Sequence, residues 1–171
     1  MTIADLEAMP DDDGSRYELI EGELYESSAP GLTHQMVSDN IVHLIRTYLD
    51  QNPIGIVVST IGLILSEYNG VIPDVVFFRN EDYSRIVSNE RLYAAPEIVI
   101  EILSAGTANT RRDRVAKYKL YQKYSVKEYW IIDRDRQTIE LFRLLGEVLE
   151  LMPNYATTTS SLHLSFRDSR V

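Results

Sequence analysis

Cysteine is absent from the 171 residues. Disulfides and thiolate metal sites are therefore excluded, and a reducing compartment fits. Histidine is scarce: His34, His43 and His163 stand far apart, without the short spacings that bring two imidazoles to one metal. Long apolar runs are missing, and none approaches the roughly 20 residues of a membrane helix. The acidic stretch from Met1 to Gly14 has no basic-then-apolar signal pattern, so the expected location is cytoplasmic. There is no Walker loop, no dinucleotide fingerprint and no nucleophilic Ser-His-Asp set. No internal repeat, low-complexity segment or linker interrupts the chain. Its length fits one domain over 1–171, large enough to bury a core without staples.

What is present is the composition of a globular protein, 44% hydrophobic and 25% charged. The net charge of −9 makes the chain a poor general binder of polyanions. The charge is uneven, however. Between Arg111 and Lys127 stand seven basic residues and one acid, a net +6, which leaves −15 for the rest. This is either a basic surface on an acidic body or a solvated helix face.

Hydrophobic spacing sets the expected elements. Thr2 can cap a short helix over Ile3 to Met9, broken by Pro10 and the acidic run ending at Gly14. Tyr17 to Ile20 and Glu23 to Tyr25 read as a hairpin around Glu21-Gly22. Met36, Val37, Ile41, Leu44, Ile45 and Leu49 give a helix from about Leu32 to Gln51, ended by Pro53. Ile56 to Val58 and Leu63 to Leu65 are short strands, Asn69-Gly70 signals a tight turn with positive φ, and the chain returns through Val71 to Phe78. Glu97 to Leu103 fits a strand buried on both faces. A helix over about Asn109 to Tyr124 follows, then a strand at Glu128 to Ile132. Thr138 to Leu144 and Glu147 to Leu151 form a hairpin at Gly146, with a last strand at Leu162 to Phe166. The order predicts an α/β (α+β) fold with a central mixed sheet and helices on its faces.

Two carboxylates stand out by position. Asp74 and Glu101 both interrupt runs that otherwise read as buried strands. An unpaired buried carboxylate is costly, so such groups pair or bind a cation. Strand-borne carboxylates aimed at one point can hold Mg²⁺; the plainer reading is a strand-end acid reaching solvent. A third residue comes from the second long helix. At 100° per residue from Lys117, Leu120, Tyr121 and Tyr124 fall within 60° of it, so Lys117 lies in the apolar stripe, with Asp113 on the same face. An inward lysine can pair with Asp74 or Glu101 and stabilise charge on a phosphate oxygen, or can snorkel to the rim.

Glu18 and Glu21 are candidates for a further acid. If Tyr17, Leu19 and Glu21 alternate to one face, Glu21 reaches the metal; otherwise it is a solvated turn residue. His34 can help bind a phosphate or simply sit at the start of its helix. The small-residue loop from Ser104 to Thr110 can offer amides to an anion, or merely connect a strand to a helix.

Taken in order, these segments resemble a known group. They are Tyr17 to Leu24, His34, Ile72-Pro73-Asp74-Val75, Pro96 to Ser104, then Asp113, Lys117 and Tyr121 in one helix, and Val126 to Asp133. The series resembles the PD-(D/E)xK restriction-endonuclease-like superfamily, and more closely its Uma-type family of bacterial endonucleases, long described as a domain of unknown function. The resemblance implies a mixed central sheet flanked by helices and Mg²⁺, or Mn²⁺, held by Asp74 and Glu101. In the wider superfamily a lysine follows the glutamate by two positions. Here that position is Leu103, so Lys117 must supply the amine from the helix.

The leading expectation is thus a Mg²⁺-dependent endonuclease hydrolysing DNA, with Asp74, Glu101 and Lys117 catalytic and Glu21 an added metal ligand. Its rivals are a non-catalytic nucleic-acid-binding or regulatory module on the same fold, and a structural ion network of the three charges. By family analogy the chain is expected to form a homo-oligomer, a dimer, through apolar residues such as Leu141, Phe142, Leu144, Leu149 and Leu151, which can equally be core.

Overall fold

The Thr2 hydroxyl accepts the Asp5 amide at 3.2 Å while the Asp5 carboxylate accepts the Thr2 amide at 2.8 Å. This capping box opens α1 (Ile3–Glu7). The computed structural model to which it belongs describes residues 1–9, 15–27, 29–104 and 107–153. Pro10 to Gly14, Ala105 and Gly106 of the small-residue loop, His163 and the strand expected at Leu162 to Phe166 lie outside the described residues.

β1 (Arg16–Ile20) and β2 (Glu23–Ser27) form the expected hairpin. Its turn residues Glu21 and Gly22 have φ of 52° and 79°, the left-handed region that favours glycine. α2 covers Leu32–Gln51, the span its apolar spacing predicts. Then come β3 (Gly55–Ser59), β4 (Leu63–Ser66), β5 (Asn69–Val71) and β6 (Val75–Arg79). A short helix α3 (Tyr83–Ile86) leads into the two-residue strands β7 (Val87–Ser88) and β8 (Arg91–Leu92). β9 (Ile98–Ile102) is buried at all five positions. α4 (Thr107–Arg111), a π-helical stretch (Arg112–Lys117) and α5 (Tyr118–Lys123) run on as one helix. β10 (Glu128–Asp133), β11 (Thr138–Leu145) and β12 (Val148–Leu151) follow, with Gly146 at φ 65° in the last hairpin.

The turn expected at Asn69-Gly70 lies instead at Glu67 and Tyr68, and Asn69 begins β5. Tertiary bonds override the local signal. The buried Asn69 side chain accepts the Glu21 amide at 2.8 Å and donates to Ser66 Oγ at 2.8 Å. A Cβ at Gly70 would meet the end of the Ile3 side chain, which would have to shift.

The strands divide between two mixed sheets, where the spacing predicted one central sheet. The central sheet runs β12-β11-β10-β9-β6-β3, with β9 and β10 parallel. The second runs β2-β1-β5-β4-β8-β7, with β4 and β8 parallel. Strand alternation gives the central sheet two apolar faces. Val57, Val75, Phe77, Ile98, Ile100, Ile102, Trp130 and Ile132 pack with Ile41, Val42 and Ile45 of α2. Val76, Phe78, Val99, Leu103, Tyr129 and Ile131 pack with Ile20, Leu63, Val71 and Leu92 of the second sheet and Leu120 and Tyr121 of α5. Glu101 shares this second face, between Val99 and Leu103. The segment Ile72-Pro73-Asp74 crosses from one sheet to the other between β5 and β6.

Candidate active site

Pro73 decides how the carboxylate beside it is held. β6 pairs β9 antiparallel, with Val75 opposite Ile100. The paired register ends there, and Pro73 and Asp74 lie just beyond it, beside the end of β9. Proline has no amide hydrogen to continue the ladder, and side chains take over. Asp74 Oδ2 accepts the Ile102 amide at 2.7 Å. His34 Nε2, from α2, lies 3.0 Å from the Ile102 carbonyl and 3.2 Å from Asp74 Oδ2. A carboxylate and an imidazole thus finish the edge that Pro73 leaves open. The Asp74 side chain keeps 18% exposure, and it marks the solvent end of the site.

Behind it lies a buried network. Glu101 Oε1 accepts from Lys117 Nζ at 3.0 Å and from the Tyr121 hydroxyl at 2.7 Å. The same ammonium reaches Glu18 Oε1 of β1 at 2.8 Å and Asp113 Oδ1 at 3.8 Å. Glu18 Oε1 also accepts the Ile72 amide at 2.8 Å, tying the crossing segment to β1. Arg112 stands 3.6 Å from Glu18 Oε2 and 3.5 Å from Asp113 Oδ1. Tyr129 donates to the Asp113 carbonyl at 2.9 Å. Three of these groups, Arg112, Asp113 and Lys117, belong to the π-helical stretch. Such widened turns are frequent at functional sites.

Three carboxylates, Glu18, Glu101 and Asp113, meet two cations, Lys117 and Arg112, with Asp74 close enough to repel Glu101. Burial pushes Glu101 well above its ordinary value, with Lys117 opposing and Asp74, Asp113 and Glu18 adding to the rise. Burial likewise raises Asp113 against the pull of Lys117 and Arg112. Lys117 is buried to 2% exposure. Burial alone lowers an ammonium, but Glu101, Glu18 and Asp113 outweigh it, and the net shift is upward. Lys117 is therefore a cation at neutral pH, a donor rather than a base.

A divalent cation fits this donor set in one way. Among the described residues no three acid or histidine side chains form a ready ligand cluster, and the Lys117 ammonium fills the point where Glu18, Glu101 and Asp113 converge. Two carboxylates suffice for Mg²⁺, which keeps several waters and takes further oxygens from phosphates. Asp74 and Glu101 would be the pair to hold it, each with one oxygen committed to protein donors. The excess of carboxylate, and a buried Glu18 Oε2 with no hydrogen-bond partner, favour added positive charge.

The family comparison agrees with the series of residues that make this site. The Uma2 family, described as "Putative restriction endonuclease", matches residues 3–169. The chain belongs to the Uma2 family. A crystal structure titled as a "putative nuclease belonging to DUF820" from Anabaena variabilis ATCC 29413 has the same fold, with a TM-score of 0.68 at 21% identity. The match covers 88% of this chain and 83% of that one. No curated protein matches in sequence.

For this Uma2 chain, the structure brings Asp74, Glu101 and Lys117 to one end of the inter-sheet face. It does not bring Glu21. That side chain is 59% exposed at the hairpin turn and pairs with Lys123 at 2.9 Å. Glu18, the other acid of that segment, is the one inside, because it shares a strand face with Ile20 of the core. Arg112 and Tyr121 complete the network. The basic run is largely spent on acids. Arg112 faces Glu18 and Asp113, Arg114 faces Asp133 and Glu140, and Lys123 faces Glu21. Arg111, Lys119 and Lys127 remain exposed, with no ion pair among the described residues.

Proposed function

We propose that this Uma2 chain is a Mg²⁺- or Mn²⁺-dependent endonuclease that hydrolyses phosphodiester bonds in DNA. The observation that carries the reading is that Asp74 accepts the amide of Ile102, the residue next to Glu101, while Lys117 bonds the inner oxygen of Glu101. Asp74 Oδ1 and Glu101 Oε2, which accept no hydrogen bond among the described residues, would hold the ion. A divalent cation bound there supplies Lewis-acid neutralisation of phosphate charge and a more acidic water.

The chain's own residues do the rest. The Ile102 amide and His34 fix Asp74 from behind, while Lys117 and Tyr121 fix Glu101. Lys117 stays protonated, so it orients a water or stabilises phosphate charge and does not remove a proton. Arg111, Lys119 and Lys127 are the exposed cations available to a nucleic-acid backbone. Self-association would draw on Leu145, Val148 and Leu151, which stand exposed at the last hairpin, since Leu141 and Leu149 are core. No helix among the described residues is long and apolar enough to cross a membrane.

A second reading has one observation in its favour. Lys117 already neutralises the carboxylates around it, as a purely structural ion network would require. Calorimetric titration of Mg²⁺ and Mn²⁺, with and without DNA, separates the two. Binding lost in Asp74→Ala, with cleavage of supercoiled, linear or single-stranded DNA lost alongside, supports the nuclease. An Asp74→Ala protein that cleaves as well as the parent sinks it.

A further inference from the structure

His34 sits in the first turn of α2, on the face of the central sheet opposite Lys117. It is 5% exposed. Its Nε2 faces two acceptors, the Ile102 carbonyl at 3.0 Å and Asp74 Oδ2 at 3.2 Å. A nitrogen between two acceptors must carry hydrogen, so Nε2 is protonated whether the ring is neutral or charged. Nδ1 is buried and has no hydrogen-bond partner. The polar contacts of this ring are therefore made through Nε2 alone, to Asp74 and the strand end beside it.

Oδ2 of Asp74 thus accepts the Ile102 amide from β9 and has the imidazole Nε2 of α2 3.2 Å away, while the hydrogen bond of that nitrogen goes to the Ile102 carbonyl. The amide and the nearby imidazole together hold this oxygen, and Oδ1 is left without a protein donor among the described residues. We propose that His34 is a positioning residue for Asp74, locking Oδ2 so that Oδ1 is set for a divalent cation. This rests on the reading of Asp74 as a cation ligand. The alternative role is local: His34 merely satisfies the Ile102 carbonyl that Pro73 cannot serve. Donors behind a ligating carboxylate are part of the affinity of a metal site, and losing one costs about 10–100-fold. Satisfying a carbonyl contributes to stability only.

The test is Mn²⁺ titration calorimetry on the full chain, with urea unfolding of each variant alongside. His34→Gln keeps an amide donor at the reach of Nε2, whereas His34→Leu keeps volume without a donor. His34→Asn keeps a donor too short to span to Asp74, and it serves if the leucine variant does not fold. The expected result is Mn²⁺ affinity within about threefold of the parent for His34→Gln and about 10–100-fold weaker for His34→Leu and His34→Asn. If those two bind Mn²⁺ like the parent while Asp74→Ala does not, His34 only closes the strand end, and the reading of Asp74 stands. If the parent binds no Mn²⁺ with or without DNA, the reading of Asp74 falls and this proposal with it.

Discussion

Lys117 Nζ stands 2.8 Å from Glu18 Oε1, and through that contact the helix on the central sheet is bonded to the first strand of the second sheet. The same ammonium serves Glu101 and Asp113. Removing it leaves buried carboxylates that only Arg112 can answer. Lys117→Met keeps the stem's volume and should cost about 3–5 kcal/mol, the range for breaking a buried pair from one side. Urea unfolding measures it. A loss under about 1 kcal/mol would mean that the network does not depend on the ammonium, and the ion-pair description would be wrong.

The pH dependence of stability should carry the sign of a raised carboxylate. Burial holds Glu101 in the folded chain well above its ordinary 4.5, despite Lys117. The folded state then keeps a proton that the unfolded state releases. Stability from this group is fully present below pH 4.5 and is lost as pH rises through the folded value. Asp113 behaves alike above its ordinary 3.8. Lys117, raised above 10.5, holds its contribution to at least that pH and loses it beyond. Urea unfolding of the parent and of Glu101→Gln from pH 4.5 towards neutrality isolates the Glu101 part. The parent's advantage over the glutamine variant should shrink as pH rises; a growing advantage would show that Lys117 outweighs burial.

Much of this could be read before the structure. The apolar spacing of α2 and the stop at Pro53 marked residues 32 to 51, because a long periodic stripe is hard to mistake. Counting forward from Lys117 to Leu120 and Tyr121 placed the lysine inward. Two features escaped for physical reasons. In β1, Leu19 and Ile20 are both buried, so alternation alone could not tell whether Glu18 or Glu21 turns inward. The 100° wheel assumes α-helical hydrogen bonds, and the turn before Lys117 is π-helical; nothing in the composition of Arg112 to Lys117 announces this. The second sheet was hidden because β7 and β8 have two residues each, too few for a period.

Asn69 should matter for folding and not for chemistry. Its side chain accepts the Glu21 amide, donates to Ser66 Oγ and reaches the Tyr124 hydroxyl at 3.4 Å. Asn69→Ala strands these partners and should cost about 1–3 kcal/mol. Mn²⁺ titration of the folded variant should match the parent. A fall in affinity would show that the hairpin it pins also sets the position of Glu18.

Glu18 and Glu21 offer the sharpest separation, because they lie three residues apart and face opposite environments. Glu18 Oε1 holds the Ile72 amide, two residues before Asp74, and the lysine that bonds Glu101. Glu18→Gln keeps a carbonyl acceptor but removes the charge that helps keep Lys117 in place. It also lowers the carboxylate excess, which offsets part of the lost pairing with Lys117, and Glu101 still holds the ammonium, so the variant should stay folded. Its Mn²⁺ affinity and cleavage should nevertheless drop by about tenfold or more, as for other groups that orient a metal ligand. Glu21→Gln only releases an exposed, solvent-screened pair with Lys123, and both readouts should stay at the parental level. Affinity lost in a Glu18→Gln protein that urea unfolding shows to be folded does not come from misfolding. If Glu21→Gln were the variant that lost affinity, the hairpin turn would have to close onto the site when the cation binds, and Glu18 would revert to a structural partner of Lys117.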